Sequence, residues 1–291
     1  MKQVFLVILL AFGFVVGAQN KIVKKPKKQK PATTQVAPKK HKSQSKPTKG
    51  GTVKCVATKA SYSNGTLTVN GIKYNMVWVD GGTFRMGATS EQGSEISDEK
   101  PVHSVTLSGY YIGKTEVTQA LWQAVMGSNP SYFEGDDLPV EQVSWDDCQE
   151  FIRKLNSLTG QNFRLPTEAE WEFACRGGNN SRGYKYSGSN YIDNVAWYDG
   201  NSGDKTHPVA TKSPNELGIY DMSGNVWEWC ADWYGDYSSG RQTNPKGPYD
   251  GSCRVGRGGS WDYYAGCCRS SDRCSHLPTT RYNSLGLRLA L

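Results

Sequence analysis

The residues best suited to chemistry crowd into the last part of the chain. Asp262 to Leu285 holds the adjacent Cys267 and Cys268, a third thiol at Cys274, and Tyr263, Tyr264 and Tyr282 among Ser, Asp and Arg. A thiolate is a nucleophile and a soft metal ligand. A Tyr, Ser, Asp and Arg mixture suits recognition instead, since Tyr gives contact area at small entropic cost while short polar groups adapt their hydrogen bonds. On that reading Asp262, Tyr263, Tyr264, Arg269, Asp272, Arg273, His276 and Tyr282 form a ligand-binding surface. The same stretch lacks Lys, Glu, Gln, Met and Trp, all of which occur elsewhere in the chain. Every residue type present is reachable from Asn-like codons by changing adenines alone.

Other chemistries find less support. The chain has four His, one of them in the basic N-terminal region, and none lies beside a nucleophile motif, so a Ser–His–Asp arrangement is not expected. None of the eight Cys shows the C-x-x-C spacing of structural zinc. In an exported chain that many Cys raise the expectation of disulfides, whose pairing stays open.

Export itself is read from the first residues. Lys2 precedes the apolar run Val4 to Val16 and the small residues Gly17 and Ala18. Such a run is too short to span a bilayer and has the form of a signal peptide over residues 1–18. No Cys follows the expected cut, so a lipid anchor is not expected, nor is a transmembrane segment in the mature chain. The expected location is secreted, periplasmic or cell-surface, as a monomer.

Residues 1–50 hold 12 Lys and no acid, which leaves 22 basic against 27 acidic residues in the remainder. The positive charge therefore belongs to a tail. Residues 19–52, rich in Lys and Pro, have little to bury and read as a disordered linker. Without aromatics among its lysines the linker offers no stacking platform, and nucleic acid is not an expected partner.

The elements that must position the C-terminal residues are short. Residues 53–75 read as a lead-in hairpin, with Asn64-Gly65 and Asn70-Gly71 as turns. Met76 to Gly87 reads as strand, two-glycine turn and strand, and Val102 to Ile112 as one alternating strand. A helix is expected after Thr118, ended by Gly127. A second is capped by Ser144 with Asp147 at its third position and closes at Gly160, and a third follows the Thr167 to Glu170 capping box. Beyond Gly178 the recurring Gly, Asn, Asp, Ser and Pro predict loops and brief strands, not a regular sandwich or barrel.

Several segments together resemble the formylglycine-generating enzyme, or sulfatase-modifying factor, family: GGTFRMG from Gly81, RLPTEAEWEFACRGG from Arg164, NELGIYDMSGNVWEW from Asn215, RGGSW from Arg257 and LGLRLAL from Leu285. The resemblance covers 76–291. It implies an irregular, loop-rich α+β domain with the C-type-lectin-like fold, a few short helices and small sheets. It also implies a calcium loop at Gly224 to Trp229, with Asn225, the Val226 carbonyl and Glu228 as oxygen ligands of the kind calcium takes.

The family's enzymes resemble copper-dependent oxidases in which two Cys after the GGS motif hold Cu(I) while a substrate Cys becomes formylglycine. Counted from Ser260, the second of these falls on Cys268 and the first on Tyr263, and a phenol does not replace a thiolate on Cu(I). Cys268 and Ser260 are the catalytic candidates only if an oxidase site survives. The Tyr-rich segment further resembles the variable segment of hypervariable ligand-binding proteins diversified by retroelements. The expected function is a non-catalytic module that binds a protein or glycan at the cell surface. A copper-dependent oxidase and an envelope scaffold of a secretion or gliding machinery are the alternatives.

Overall fold

The computed structural model describes residues 58–93 and 96–291. The expected signal peptide, the whole of the linker and Cys55 lie outside them. Within the described residues, Asn64-Gly65 and Asn70-Gly71 take positive φ, as a two-residue hairpin turn requires. They fold β1 (Ala60–Ser63), β2 (Thr66–Val69) and β3 (Ile72–Val79) back on one another. The hairpin is part of the body, because Leu67 and Val69 are fully buried and β3 continues into a four-stranded sheet whose far edge is formed by Tyr110–Gly113.

The single strand expected over Val102 to Ile112 is two. Ser108-Gly109 breaks it into β5 (His103–Leu107) and β6 (Tyr110–Gly113), which serve different sheets. Thus β5 lies between β4 (Gly82–Met86) and β8 (Gln242–Thr243), while β6 pairs with β3.

The helices begin where their caps lie. Thr118, Ser144 and Thr167 each accept a backbone N–H three residues on, and Ser144 and Thr167 complete reciprocal boxes with Asp147 and Glu170. Thus α1 runs Gln119–Met126, α2 Trp145–Thr159 and α3 Glu168–Cys175. Left-handed Gly127 and Gly160 end the first two. Trp122 of α1 stacks on Phe151 of α2 at 4.8 Å, above the apolar faces of β2 and β3.

The third sheet organises the C-terminal half. Its order is β10 (Arg273–His276), β9 (Arg254–Arg257), β7 (Trp227–Trp233) and β11 (Leu285–Leu287). Long loops before and between these strands fulfil the loop-rich expectation, and the mixture of three helices with small sheets is the expected irregular α+β class. No disulfide joins described cysteines: all seven are thiols.

Candidate functional site

The Tyr-rich segment leaves β9 through Gly258 and Gly259, both at positive φ. A Cβ on Gly259 would sit 2.7 Å from the Cys268 sulfur, so only glycine lets the backbone pass over that thiol. Ser260 and Trp261 are buried beneath the surface. The Ser260 hydroxyl donates to Asp262 at 2.7 Å, and the Trp261 indole N–H donates to the Asn283 carbonyl at 3.0 Å. The chain then emerges. Tyr263 is 38% exposed, Tyr264 60% and Tyr282 49%.

These tyrosines rest on fixed neighbours. The Tyr263 ring stands edge-on to Trp227 at 5.4 Å, and Tyr282 meets His276, which meets Trp229. Burial and the adjacent Asp262 push the Tyr263 hydroxyl up to about 12, and a hydrogen bond with Cys267 does the same for Tyr264. Both are therefore neutral phenols near pH 7, able to donate and accept.

Three of the expected surface residues face inward, which corrects the sequence reading. Arg269 grips both oxygens of Glu99 at 2.7 and 2.6 Å and touches Asp272 at 2.9 Å. Arg273 grips Glu168 at 2.8 and 2.7 Å, and Arg257 donates to the Asp272 carbonyl. Arg269, Asp272 and Arg273 are all buried. Charges taken from water need partners, and these pairs rivet the segment to the body. Asp262, Tyr263, Tyr264, His276 and Tyr282 remain as the accessible set.

The structure adds residues that sequence reasoning missed. Tyr132 and Phe133 stand beside the segment, with the Phe133 ring edge-on to Trp261 at 5.4 Å. Their loop is latched by Glu141, whose carboxylate accepts the backbone N–H groups of Tyr132 and Phe133 at 2.6 and 2.8 Å. Gln142 then donates its backbone N–H to the Tyr282 carbonyl at 2.9 Å. A groove of about 580 Å³ runs along this edge between Tyr132, Trp122, Asp147 and Arg281. Sequence carried one signal for it, the Asn129-Pro130 pair that follows α1.

The thiols are divided. Cys268 is fully buried with Tyr186 and Val195, whereas Cys267 and Cys274 pack in the main core beside Trp229. Burial holds the Cys268 thiol well above its usual range and pushes Cys267 up to about 12. Tyr263 has Cys274 and Cys267 as its sulfur neighbours. Of the two positions expected to hold copper, Cys268 alone carries a thiol, the other being Tyr263.

The expected calcium residues are brought together only in part. The Asn225 amide oxygen accepts the His207 N–H at 3.0 Å, and the amide nitrogen donates to Glu116 at 3.1 Å. Val226 donates its N–H to the same carboxylate. Glu228 is engaged elsewhere: Arg288 holds its two oxygens at 2.9 and 2.7 Å, and the Trp171 indole donates at 2.7 Å. With its lone pairs so engaged it is not an open ligand, and that part of the expectation is corrected.

Glu116, which sequence reasoning passed over, takes its place near Asn225. Burial, then Asp221 and Glu228, holds the Glu116 carboxyl well above the usual range, and Asp221 is pushed up to about 6 by burial. Three buried acids thus share one buried cation, Arg288. Among the described residues no group of three or more His, Cys, Asp and Glu side chains is poised to hold a metal. Glu116 and Asp221 nevertheless place hard carboxylate oxygens beside the Asn225–Val226 loop, a donor type that calcium takes, although the Asn225 amide turns its nitrogen toward Glu116.

Residues 67–291 match the sulfatase-modifying factor enzyme 1-like domain model. The chaperone protein LppX of Paenibacillus barcinonensis is 37% identical over 252 residues, spanning 69% of this chain and 82% of that one. The formylglycine-generating enzyme of Streptomyces coelicolor is 30% identical over 285 residues, 74% of this chain and 88% of its own. Among solved structures, Treponema denticola variable protein 1 superposes with a TM-score of 0.71 at 37% identity, covering 77% of this chain and 97% of that chain. PvdO from Pseudomonas aeruginosa superposes with a TM-score of 0.63 at 27% identity, covering 74% and 93%. With its fold, its glycine-led C-terminal segment and this match over most of its length, the chain belongs to the sulfatase-modifying factor enzyme 1-like family.

Proposed function

We propose that the domain is a non-catalytic binding module that recognises a protein or glycan at the cell surface. The observation that carries this reading is the exposure of Tyr263, Tyr264 and Tyr282 on a riveted base. Broad tyrosine faces, flanked by Asp262 and His276, give contact area whose geometry is set before the ligand arrives. Cys268, the thiol that an oxidase would need, is fully enclosed. Two names support a binding role: one relative is called a chaperone protein, and one similar structure a variable protein.

On this reading residues 262–285 are the part that varies between copies, in line with their restricted residue types. The genome would carry an adjacent reverse transcriptase and an adenine-rich near-copy of these codons. Export by the N-terminal segment brings the module to its ligand. No helix among the described residues is long and apolar enough to cross a membrane. Calcium belongs to the proposal as a structural ion at the Asn225–Val226 loop, with the Val226 carbonyl as expected from the sequence and Glu116 and Asp221 as the nearby carboxylates whose buried charge it would offset. Calcium-dependent melting, abolished in Glu116→Gln, tests that part.

The binding reading is tested by immobilising the mature chain, profiling it against glycans and envelope proteins, and repeating the capture with Tyr263→Ala/Tyr264→Ala. Loss of the captured ligand in the double variant, with an unchanged melting curve, is the expected result. Incubation with Cu(I), oxygen and a sulfatase-type Cys peptide, read by mass, decides against the oxidase alternative if the peptide is unchanged. Its conversion would overturn the binding reading.

A further inference from the structure

A second site lies away from the tyrosines, at the N-terminal end of α3. There a cavity of about 240 Å³ opens between Met86, His103, Asp232, Tyr237, Gly247 and Pro248. Its charges are unequally matched. Glu168, which also lines it, is neutralised by Arg273 at 2.7 Å and approached by Arg257 at 3.5 Å. Asp232 shares no ion pair with any described residue, although it is only 4% exposed.

One Asp232 oxygen, Oδ2, accepts the Glu168 backbone N–H at 2.9 Å. The other, Oδ1, takes no hydrogen bond from a described residue, and Asp232 lines the cavity together with the neighbouring Gly247. Gly247 passes beside it at φ 71, where an added Cβ would stand 3.1 Å from Oδ1 and 2.9 Å from the Asp232 Cβ. Glycine there keeps the approach to Oδ1 clear. Burial and Glu168 push the Asp232 carboxyl up to about 7, so a cation arriving at Oδ1 would relieve a standing penalty. Asp236, exposed at the rim, adds negative charge that draws such a cation in.

The shape of the site narrows the ligand. Its volume falls below the roughly 300–1,000 Å³ of pockets for drug-sized molecules, so it takes a group the size of one side chain. Met86 and Pro248 offer apolar surface to an aliphatic stem. A guanidinium binds a carboxylate best through two parallel bonds, but only one oxygen is free, whereas an ammonium needs only one acceptor. Calcium would require several more oxygens than Oδ1 supplies. We propose that this cavity binds a primary ammonium on an aliphatic stem, borne by a lysine side chain or a free alkyl diamine, through Oδ1 of Asp232.

The test titrates the full mature chain with Nα-acetyl-lysine methylamide, cadaverine, and the arginine and norleucine counterparts of the first, following the backbone amides of Gly235 and Gly247 by NMR. The lysine amide, the diamine or both should shift these signals, the uncharged norleucine amide should not, and Asp232→Asn should weaken binding at least tenfold. Response to the lysine amide alone assigns a peptide side chain as the source; response to cadaverine alone assigns a free amine. The proposal is overturned if norleucine or arginine matches lysine, if Asp232→Asn binds within twofold of wild type, or if no amine shifts the signals up to about 10 mM. Should Asp232→Asn fail to fold, the comparison of lysine with norleucine on the wild-type chain decides.

Discussion

Replacing Arg288 by Met should be among the most damaging single changes in the protein. Its guanidinium is fully buried and makes four hydrogen bonds: two to Glu228, one to the Gly113 carbonyl and one to the Tyr220 carbonyl. Methionine fills much of the volume but leaves Glu228 with the Trp171 donor alone, close to Glu116 and Asp221. Breaking a buried ion pair from one side costs about 3–5 kcal/mol, chiefly because the surviving charge is stranded. For a domain of this size that corresponds to a fall in melting temperature of roughly 10 °C. Adding Glu228→Gln removes the stranded charge, so the double variant should be more stable than Arg288→Met alone by about 2 kcal/mol or more. Urea unfolding followed by tryptophan fluorescence measures both. A loss under about 1 kcal/mol in the single variant, or a double variant no better than it, would refute the stranded-charge argument.

Other outcomes follow from the same kind of reasoning. Asp232 is held at about 7 in the folded chain, above its usual 3.8, so the unfolded chain gives up its proton first as pH rises. Stability should therefore fall between about pH 4 and pH 7, by on the order of 4 kcal/mol at most, and Asp232→Asn should flatten that slope in urea melts at stepped pH. Arg269→Ala should cost about 3–5 kcal/mol because it strands Glu99 and Asp272, whereas Tyr264→Ala should stay within about 0.5 kcal/mol of wild type. Equal effects on thermal melting would show that Arg269 is a surface residue after all. Glu141→Ala should cost about 2–4 kcal/mol by leaving the Tyr132 and Phe133 N–H groups without their acceptor, read as lost hydrogen-exchange protection at those two amides.

What the sequence revealed was local. Caps at Thr118, Ser144 and Thr167 are decided by hydrogen bonds three residues long, and the Asn-Gly turns by the φ preference of two residues. The split at Ser108-Gly109 was missed because the apolar alternation continues across it while the chain changes sheets. The site was half legible. Tyr263, Tyr264 and Tyr282 look like contact residues and are exposed. Arg269 and Arg273 look the same on paper, but their partners Glu99 and Glu168 lie 170 and 105 positions away. Glu116 and Glu228 illustrate the reverse error, since which acid Arg288 neutralises is set by tertiary packing and leaves no trace in spacing.

The placement of β9 and β11 on either flank of β7 has a consequence for inheritance. The tyrosine-bearing stretch departs from one of these strands and returns to the other, so both of its ends are clamped to the same central plank. Mutations scattered between the clamps can change what the tip touches without disturbing how it is mounted, provided the buried arginines are spared. Loss of the returning strand would be of another order, since Leu285 and Leu287 are wholly enclosed and a product lacking them would be left with an open seam along β7. Substitution at the exposed tip therefore leaves the mounting intact, whereas a frameshift removes the strand that closes it.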